Sequence, residues 1–120
     1  MIDHIGLRVK DFDASVRFYR AALAPLGYVV CFEADGTVGF GPEDAPAFWL
    51  YAAEGGGKRG AHVAFRAKAR AAVDRFHAAG LGAGGRDHGA PGLRADYSPT
   101  YYAAFLVDPD GNNVEAVCTR

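Results

Sequence analysis

Residues 3–20 read DHIGLRVKDFDASVRFYR, and residues 61–78 read AHVAFRAKARAAVDRFHA. In each stretch a histidine heads an apolar run, followed at the same intervals by Arg, Lys and an Arg-Phe pair. Moving the second stretch back by 58 positions aligns the two without a gap. His62 then falls on His4, Arg66 on Arg8, Lys68 on Lys10, Ala72 on Ala14, Arg75 on Arg17, Phe76 on Phe18, Ala79 on Ala21 and Leu81 on Leu23. So many identities within positions 4–23 are well above chance, and they mark a duplicated module. Only two copies fit in 120 residues, which excludes a solenoid.

Each copy implies the same order of elements. HIGLRV (4–9) and HVAFRA (62–67) are short, apolar-rich and lead straight into helical periodicity. In the first copy Asp11 suits an N-cap, and Ser15, Phe18, Tyr19, Ala22 and Leu23 form one apolar stripe. Pro25 and Gly27 end that helix. Ala69, Ala72, Val73 and Phe76 repeat the stripe in the second copy, with Gly80 expected as the left-handed C-terminal residue. Strands follow at 27–34, 37–41 and 46–53, the first two joined by the tight turn ADG. In the second copy strands are faint across 82–100. They become plain at 101–108 and 112–119, joined by the strong turn DPDG. The expectation is an α+β fold of two βαβββ modules, about 1–55 and 60–120, within a single domain spanning 1–120. Their strands make a mixed eight-stranded sheet with one helix per module. A single four-stranded module cannot cover its apolar face, so the modules must pair, within one chain or between two.

Composition narrows the functions. Half of the residues are hydrophobic, enough for one core. The net charge is −1 with the basic residues dispersed, so nothing favours nucleic acid or an anionic membrane as partner. No apolar run approaches the roughly 20 residues that cross a bilayer. The start, MIDHIGLRVKDFD, contains no signal-peptide apolar segment, and a cytoplasmic location is expected. Cys31 and Cys118 are too few and too isolated for a disulfide scaffold or a thiolate metal site. EGGGKRG (54–60) and GLGAGG (80–85) read as loops.

A strand-borne histidine at the same place in two copies invites a metal reading, because Zn, Fe, Mn and Ni all accept imidazole beside carboxylate. Glu115 lies in the apolar context VEAVC, where a carboxylate is costly unless paired or coordinated. By alternation it shares a face with Asn113 and Val117. Aligning Phe40 with Phe105, an offset of 65, puts Leu50 opposite Glu115 in the repeat, with Trp49 and Tyr51 as its neighbours. None of the three is a ready ligand. Two histidines and one carboxylate leave coordination positions open for water, substrate or dioxygen.

At this point the chain resembles the vicinal oxygen chelate superfamily, which includes glyoxalase I, extradiol dioxygenases and the fosfomycin- and bleomycin-resistance proteins. The matching segments are DHIGLRVKDFDASVRFY, LGYVV, AHVAF and YYAAFLVDPDGNNVEAV, with the pattern FxxDPDGNxxE at 105–115. The resemblance covers essentially the whole chain, is specific for the superfamily and names no single activity. It implies a cup-shaped sheet with the helices outside, a homodimer, and a divalent metal ion held by His4, His62 and Glu115. The acid that four-ligand members carry near the end of the first module is absent, which argues against glyoxalase I activity.

Other candidates surround this set. The Gly- and Pro-rich aromatic segment 84–102 reads as a binding loop. Within it Arg94 and Tyr97 suit an anionic or oxygen-rich ligand, and His88 suits proton transfer. Tyr101 and Tyr102 open a strand and face opposite sides; Tyr101 is assigned to substrate, and Tyr102 to proton transfer beside Glu115. Trp49 offers an aromatic surface for a flat organic ligand. His77, on the helix, is expected at the surface or at the rim of the core. The functional expectation is a metal-dependent enzyme of lyase, isomerase or dioxygenase type acting on a small-molecule substrate. Its rival is a metal-free protein that sequesters a planar compound, as bleomycin-resistance proteins do. A purely structural dimeric module leaves Glu115 unexplained.

Overall fold

Both copies of the repeat fold as a strand, a helix and three strands. The structure, a computed structural model, describes residues 3–53 and 61–120. The loop reading of 54–60 lies outside the described residues. The first copy contains β1 (Ile5–Val9), α1 (Phe12–Leu23), a 3-10 turn (Ala24–Leu26), β2 (Val29–Ala34), β3 (Thr37–Gly41) and β4 (Phe48–Ala52). The second contains β5 (His62–Arg66), α2 (Arg70–Gly82), β6 (Arg86–Leu93), β7 (Tyr102–Val107) and β8 (Asn113–Cys118).

The eight strands divide into two hydrogen-bonded sheets of four, ordered β1-β4-β3-β2 and β5-β8-β7-β6. Each sheet has one parallel pair, β1 with β4 and β5 with β8, and is otherwise antiparallel. The first and last strands of each copy are therefore neighbours, which brings the repeat's opening histidine strand beside its closing strand.

Local chemistry sets the boundaries. The Asp11 side chain accepts a hydrogen bond from the Ala14 amide at 3.1 Å and caps α1 as the sequence implied. Gly27, at φ +87°, turns the chain out of the 3-10 turn. The faint strand of the second copy is β6. It carries Pro91 and two glycines and pairs only with β7, and an edge strand is where the missing proline donor does no harm.

One core serves both modules. Leu7, Val9, Val38, Phe40, Phe48 and Leu50 of the first sheet join Val63, Phe65, Ala104, Leu106, Val114 and Ala116 of the second. Phe18, Tyr19 and Leu23 of α1, and Val73 and Phe76 of α2, complete it. Phe48 and Phe65 meet edge to face across the modules, with centroids 5.1 Å apart. Each fully buried large side chain of this kind contributes roughly 1.5–3 kcal/mol. A polar clasp also spans the modules: buried Asp108, in the turn between β7 and β8, accepts the Tyr19 hydroxyl of α1 at 2.6 Å.

Gly80 does not end α2. The helix continues to Gly82, and the left-handed residue that follows is Gly84, at φ +100°. Gly80 is buried where α2 crosses α1, and a Cβ there would collide with Leu106 Cδ1 and press on Phe18. Absence of a side chain, not left-handed freedom, is what the position requires. Gly80→Ala is thus expected to lower the melting temperature. The helix-propensity gain of about 1 kcal/mol is outweighed by overpacking of about 1–3 kcal/mol against a fully buried Leu106. An unchanged or raised melting temperature would show that the Leu106 side chain yields easily.

Candidate functional site

With Val114, Ala116 and Cys118 in the core, Glu115 must face the other side of β8. That surface belongs to the second sheet and looks away from α2. Register places Glu115 between Ala64 of β5 and Phe105 of β7, and Asn113 beside His62. Glu115 is only 3 % exposed, and both of its oxygens are engaged. His62 Nε2 lies 3.2 Å from Oε2, while the Tyr101 hydroxyl donates to Oε1. Burial, and then the bond to Glu115 and its charge, push the Tyr101 pKa up to about 12. The hydroxyl therefore keeps its proton at any physiological pH.

These groups head an open cavity of about 360 Å³ lined by His62, Tyr97, Tyr101, Phe105, Asn113 and Glu115. Phe105 forms its floor, with the His62 ring nearly parallel to it at 6.5 Å. Tyr97 meets Tyr101 edge to face at 5.1 Å. The cavity continues into a groove of about 340 Å³, where Tyr97, Phe105 and Asn113 are joined by His88, Gly89 and Arg94. The Asn113 side-chain oxygen is buried here without a hydrogen-bond partner.

Thus His62, Glu115, Tyr101, Tyr97, Arg94 and His88 share one surface, and the remaining candidates lie elsewhere. Tyr102 points to the opposite face, as alternation requires. Its hydroxyl donates to Asp74 of α2 at 2.6 Å and Arg70 lies over its ring, so it is too far around the strand to move protons beside Glu115. His4 stands exposed one residue before β1, with Nδ1 2.7 Å from Asp3 Oδ1. Among the described residues, no three His, Cys, Asp or Glu side chains converge as a metal site, so one chain does not assemble His4 with His62 and Glu115. His77 Nε2 meets Asp87 at 2.9 Å at the rim of α2. That bond comes first among the causes holding the Asp87 carboxyl below its ordinary range.

Trp49 lies on the outer face of the first sheet, where its ring covers Gly39. Tyr51, covering Gly6, is parallel to it within 11°, and Phe32 abuts Trp49 at 5.6 Å. Register also corrects the repeat alignment. Gly6 pairs with Trp49 as its counterpart Ala64 pairs with Glu115, so Trp49, not Leu50, occupies the position of Glu115. Leu50 faces the core. The slip of one residue exchanges faces, but the conclusion that the first module lacks the acid stands. Phe105 and Asn113 escaped assignment from sequence. Both were legible in principle, since alternation puts Asn113 on the face of Glu115 and the DPDG hairpin sets Phe105 across from it.

Fold and site together define a class: a duplicated βαβββ protein with a histidine–carboxylate pair on the open face of one sheet. The Glyoxalase/Bleomycin resistance protein/Dioxygenase superfamily model matches residues 1–116, and the chain belongs to that superfamily. Among solved structures it is similar to a glyoxalase/bleomycin resistance protein from Albidiferax ferrireducens T118. The identity is 29 % and the TM-score 0.84, over 100 % of this chain and 99 % of that one. A family enzyme from Burkholderia phytofirmans PsJN matches with TM-score 0.73 and 17 % identity, over 98 % of each chain. A lactoylglutathione lyase from Agrobacterium tumefaciens matches with TM-score 0.66 and 22 % identity, over 98 % of this chain and 92 % of that one. The latter two speak for the fold alone. No curated protein matches. Among the described residues, no helix is long and apolar enough to cross a membrane.

Proposed function

We propose that the protein is a divalent-metal-dependent enzyme acting on a small oxygen-rich organic molecule, with His62 and Glu115 holding the ion. The observation that carries this reading is the buried Glu115 carboxylate facing His62 across 3.2 Å at the head of an open cavity. Imidazole with carboxylate is a donor set that suits Fe, Mn, Ni or Zn. When bound, such an ion supplies Lewis acidity toward substrate oxygens. The chain's own groups do the rest. Tyr101 fixes the orientation of Glu115 through the oxygen that does not face His62. Asn113 offers an unpaired acceptor to a substrate hydroxyl or amine. His88, exposed at the far end of the groove, is placed to exchange protons with solvent.

One chain supplies two of the three donors, and we assign the third, His4, to a second copy in a homodimer. Support comes from the outer face of the first sheet. Phe32 is 46 % exposed beside Trp49 and Tyr51, and aromatic surface of this kind is commonly covered by association.

Elemental analysis of untagged protein, followed by melting with Fe(II), Mn(II), Ni(II) and Zn(II), tests the reading. An ion present at 100 times its dissociation constant stabilises by about 2.7 kcal/mol, a shift of roughly 10 °C. Sedimentation of the same sample should show a dimer. If no ion is found and none raises the melting temperature, the metal-free binding reading takes its place. The flat Trp49–Tyr51 surface favours that alternative.

A further inference from the structure

We propose that the groove beyond Phe105 is an anion subsite built around Arg94, and that the molecule bound at this surface is a small carboxylate. The inference rests on reading the outer face of the second sheet as the substrate site, and it adds the chemical class.

Arg94 is held in place by backbone. Its two Nη atoms donate to the Gly92 and Ala90 carbonyls at 2.9 and 2.8 Å. The guanidinium carbon lies 5.4 Å from the Phe105 centroid, over the ring. A Cβ at Gly89 or at Gly92 would come within 3.2 Å of an Arg94 nitrogen, so both glycines make room for the fork. Among the described residues no carboxylate lies within ion-pair distance of it. A half-buried cation, immobilised by neutral carbonyls and left without a counter-charge at the wall of a groove, is prepared for an anion. His88 lines the same groove and adds a second ring donor.

The floor sets the spacing. Phe105 carries His62 near one side and Arg94 near the other, so a single phenyl ring separates the proposed metal end from the anion end. A ligand spanning both needs an anionic head, a flat or short apolar body and oxygen functions at its other end. The bare Asn113 oxygen beneath adds a preference for a hydroxyl or amine along that body. A neutral planar compound would leave Arg94 uncompensated.

Benzoate and benzamide are the probes: the same ring with and without the charge. In wild-type protein benzoate should bind at least tenfold more tightly, read by calorimetry or by NMR shifts at the Arg94 Nε–H and the Phe105 ring. Arg94→Gln should weaken benzoate on the order of tenfold or more and leave benzamide unchanged. Equal binding of the two probes by wild type, or equal weakening of both by the substitution, would overturn the proposal and leave Arg94 a loop staple. The wild-type comparison stands even if the variant folds poorly. Metal titration of Arg94→Gln separates this inference from the functional reading. That variant should retain the metal-induced melting shift of wild type, because Arg94 touches neither His62 nor Glu115. Loss of the shift would also count against a separate subsite.

Discussion

Glu115→Gln is expected to abolish the stabilisation by divalent ions while leaving the ion-free protein at least as stable as wild type. The two halves have one cause. Glu115 is 3 % exposed and carries its carboxylate among apolar strand neighbours, where only Tyr101 and His62 compensate it. A buried carboxylate is costly, and an isosteric amide removes that cost while still accepting the Tyr101 hydroxyl. The same change deletes the anionic donor, so affinity for Zn(II) or Mn(II) should fall by at least about 100-fold, a loss beyond the 10–100-fold typical of outer-shell changes. Melting curves with and without ion read both effects. If the ion still raised the melting temperature of Glu115→Gln as it does that of wild type, the ion would sit elsewhere. If the ion-free variant melted far below wild type, Glu115 would be a structural residue.

Asp108→Ala is expected to be the most destabilising single substitution outside the apolar core. Asp108 is 2 % exposed and accepts the Tyr19 hydroxyl at 2.6 Å, the Asn112 amide nitrogen and side chain at 2.7 Å each, and the Asp110 amide at 2.9 Å. Burial and the Asp108 charge hold the Tyr19 pKa well above its ordinary value, so the hydroxyl remains a donor. Truncating the acid strands a fully buried hydroxyl and the nearly buried Asn112. At about 1–3 kcal/mol for each orphaned group, the loss should reach about 3–5 kcal/mol, or roughly 10–20 °C in melting temperature. Tyr19→Phe should cost less, since Asp108 keeps its three bonds within the turn. A shift of only a degree or two for Asp108→Ala would mean that the turn does not join the modules. Glu115 and Asp108 belong to one hairpin, Asp108 to its turn and Glu115 to β8, yet one is expected to serve a ligand and the other the fold. Their partners make the difference: Asp108 is satisfied by neutral donors of its own turn and one helix, whereas Glu115 faces a half-exposed histidine and an open cavity.

Much of this was readable before any coordinates. The duplication fixed the element order, because a gapless repeat carries its strand and helix periods with it. The Asp11 cap and the opposite faces of Tyr101 and Tyr102 followed from local rules that hold wherever the segment sits. Four features were not readable, each for a physical reason. Gly80 looks like a helix end, but a helix that needs close approach to a neighbour uses glycine the same way. The counterpart of Glu115 depended on a register shift of one residue, which sequence identity between diverged strands does not fix and which reverses the face. Tyr102 is chemically the equal of Tyr101 until α2 supplies Asp74. His4 matches His62 in the repeat, yet it lies outside the site that His62 and Glu115 form within one chain.

The amino-acid order alone therefore determined the two βαβββ units, their turns and the residue types able to hold a metal or an anion. Those depend on backbone preference and on periodicity along the chain, which are short-range. Only the tertiary structure decided which of those side chains meet. Convergence at a site is set by strand register, by the packing of two sheets and two helices on one core, and by what each neighbouring element leaves uncovered.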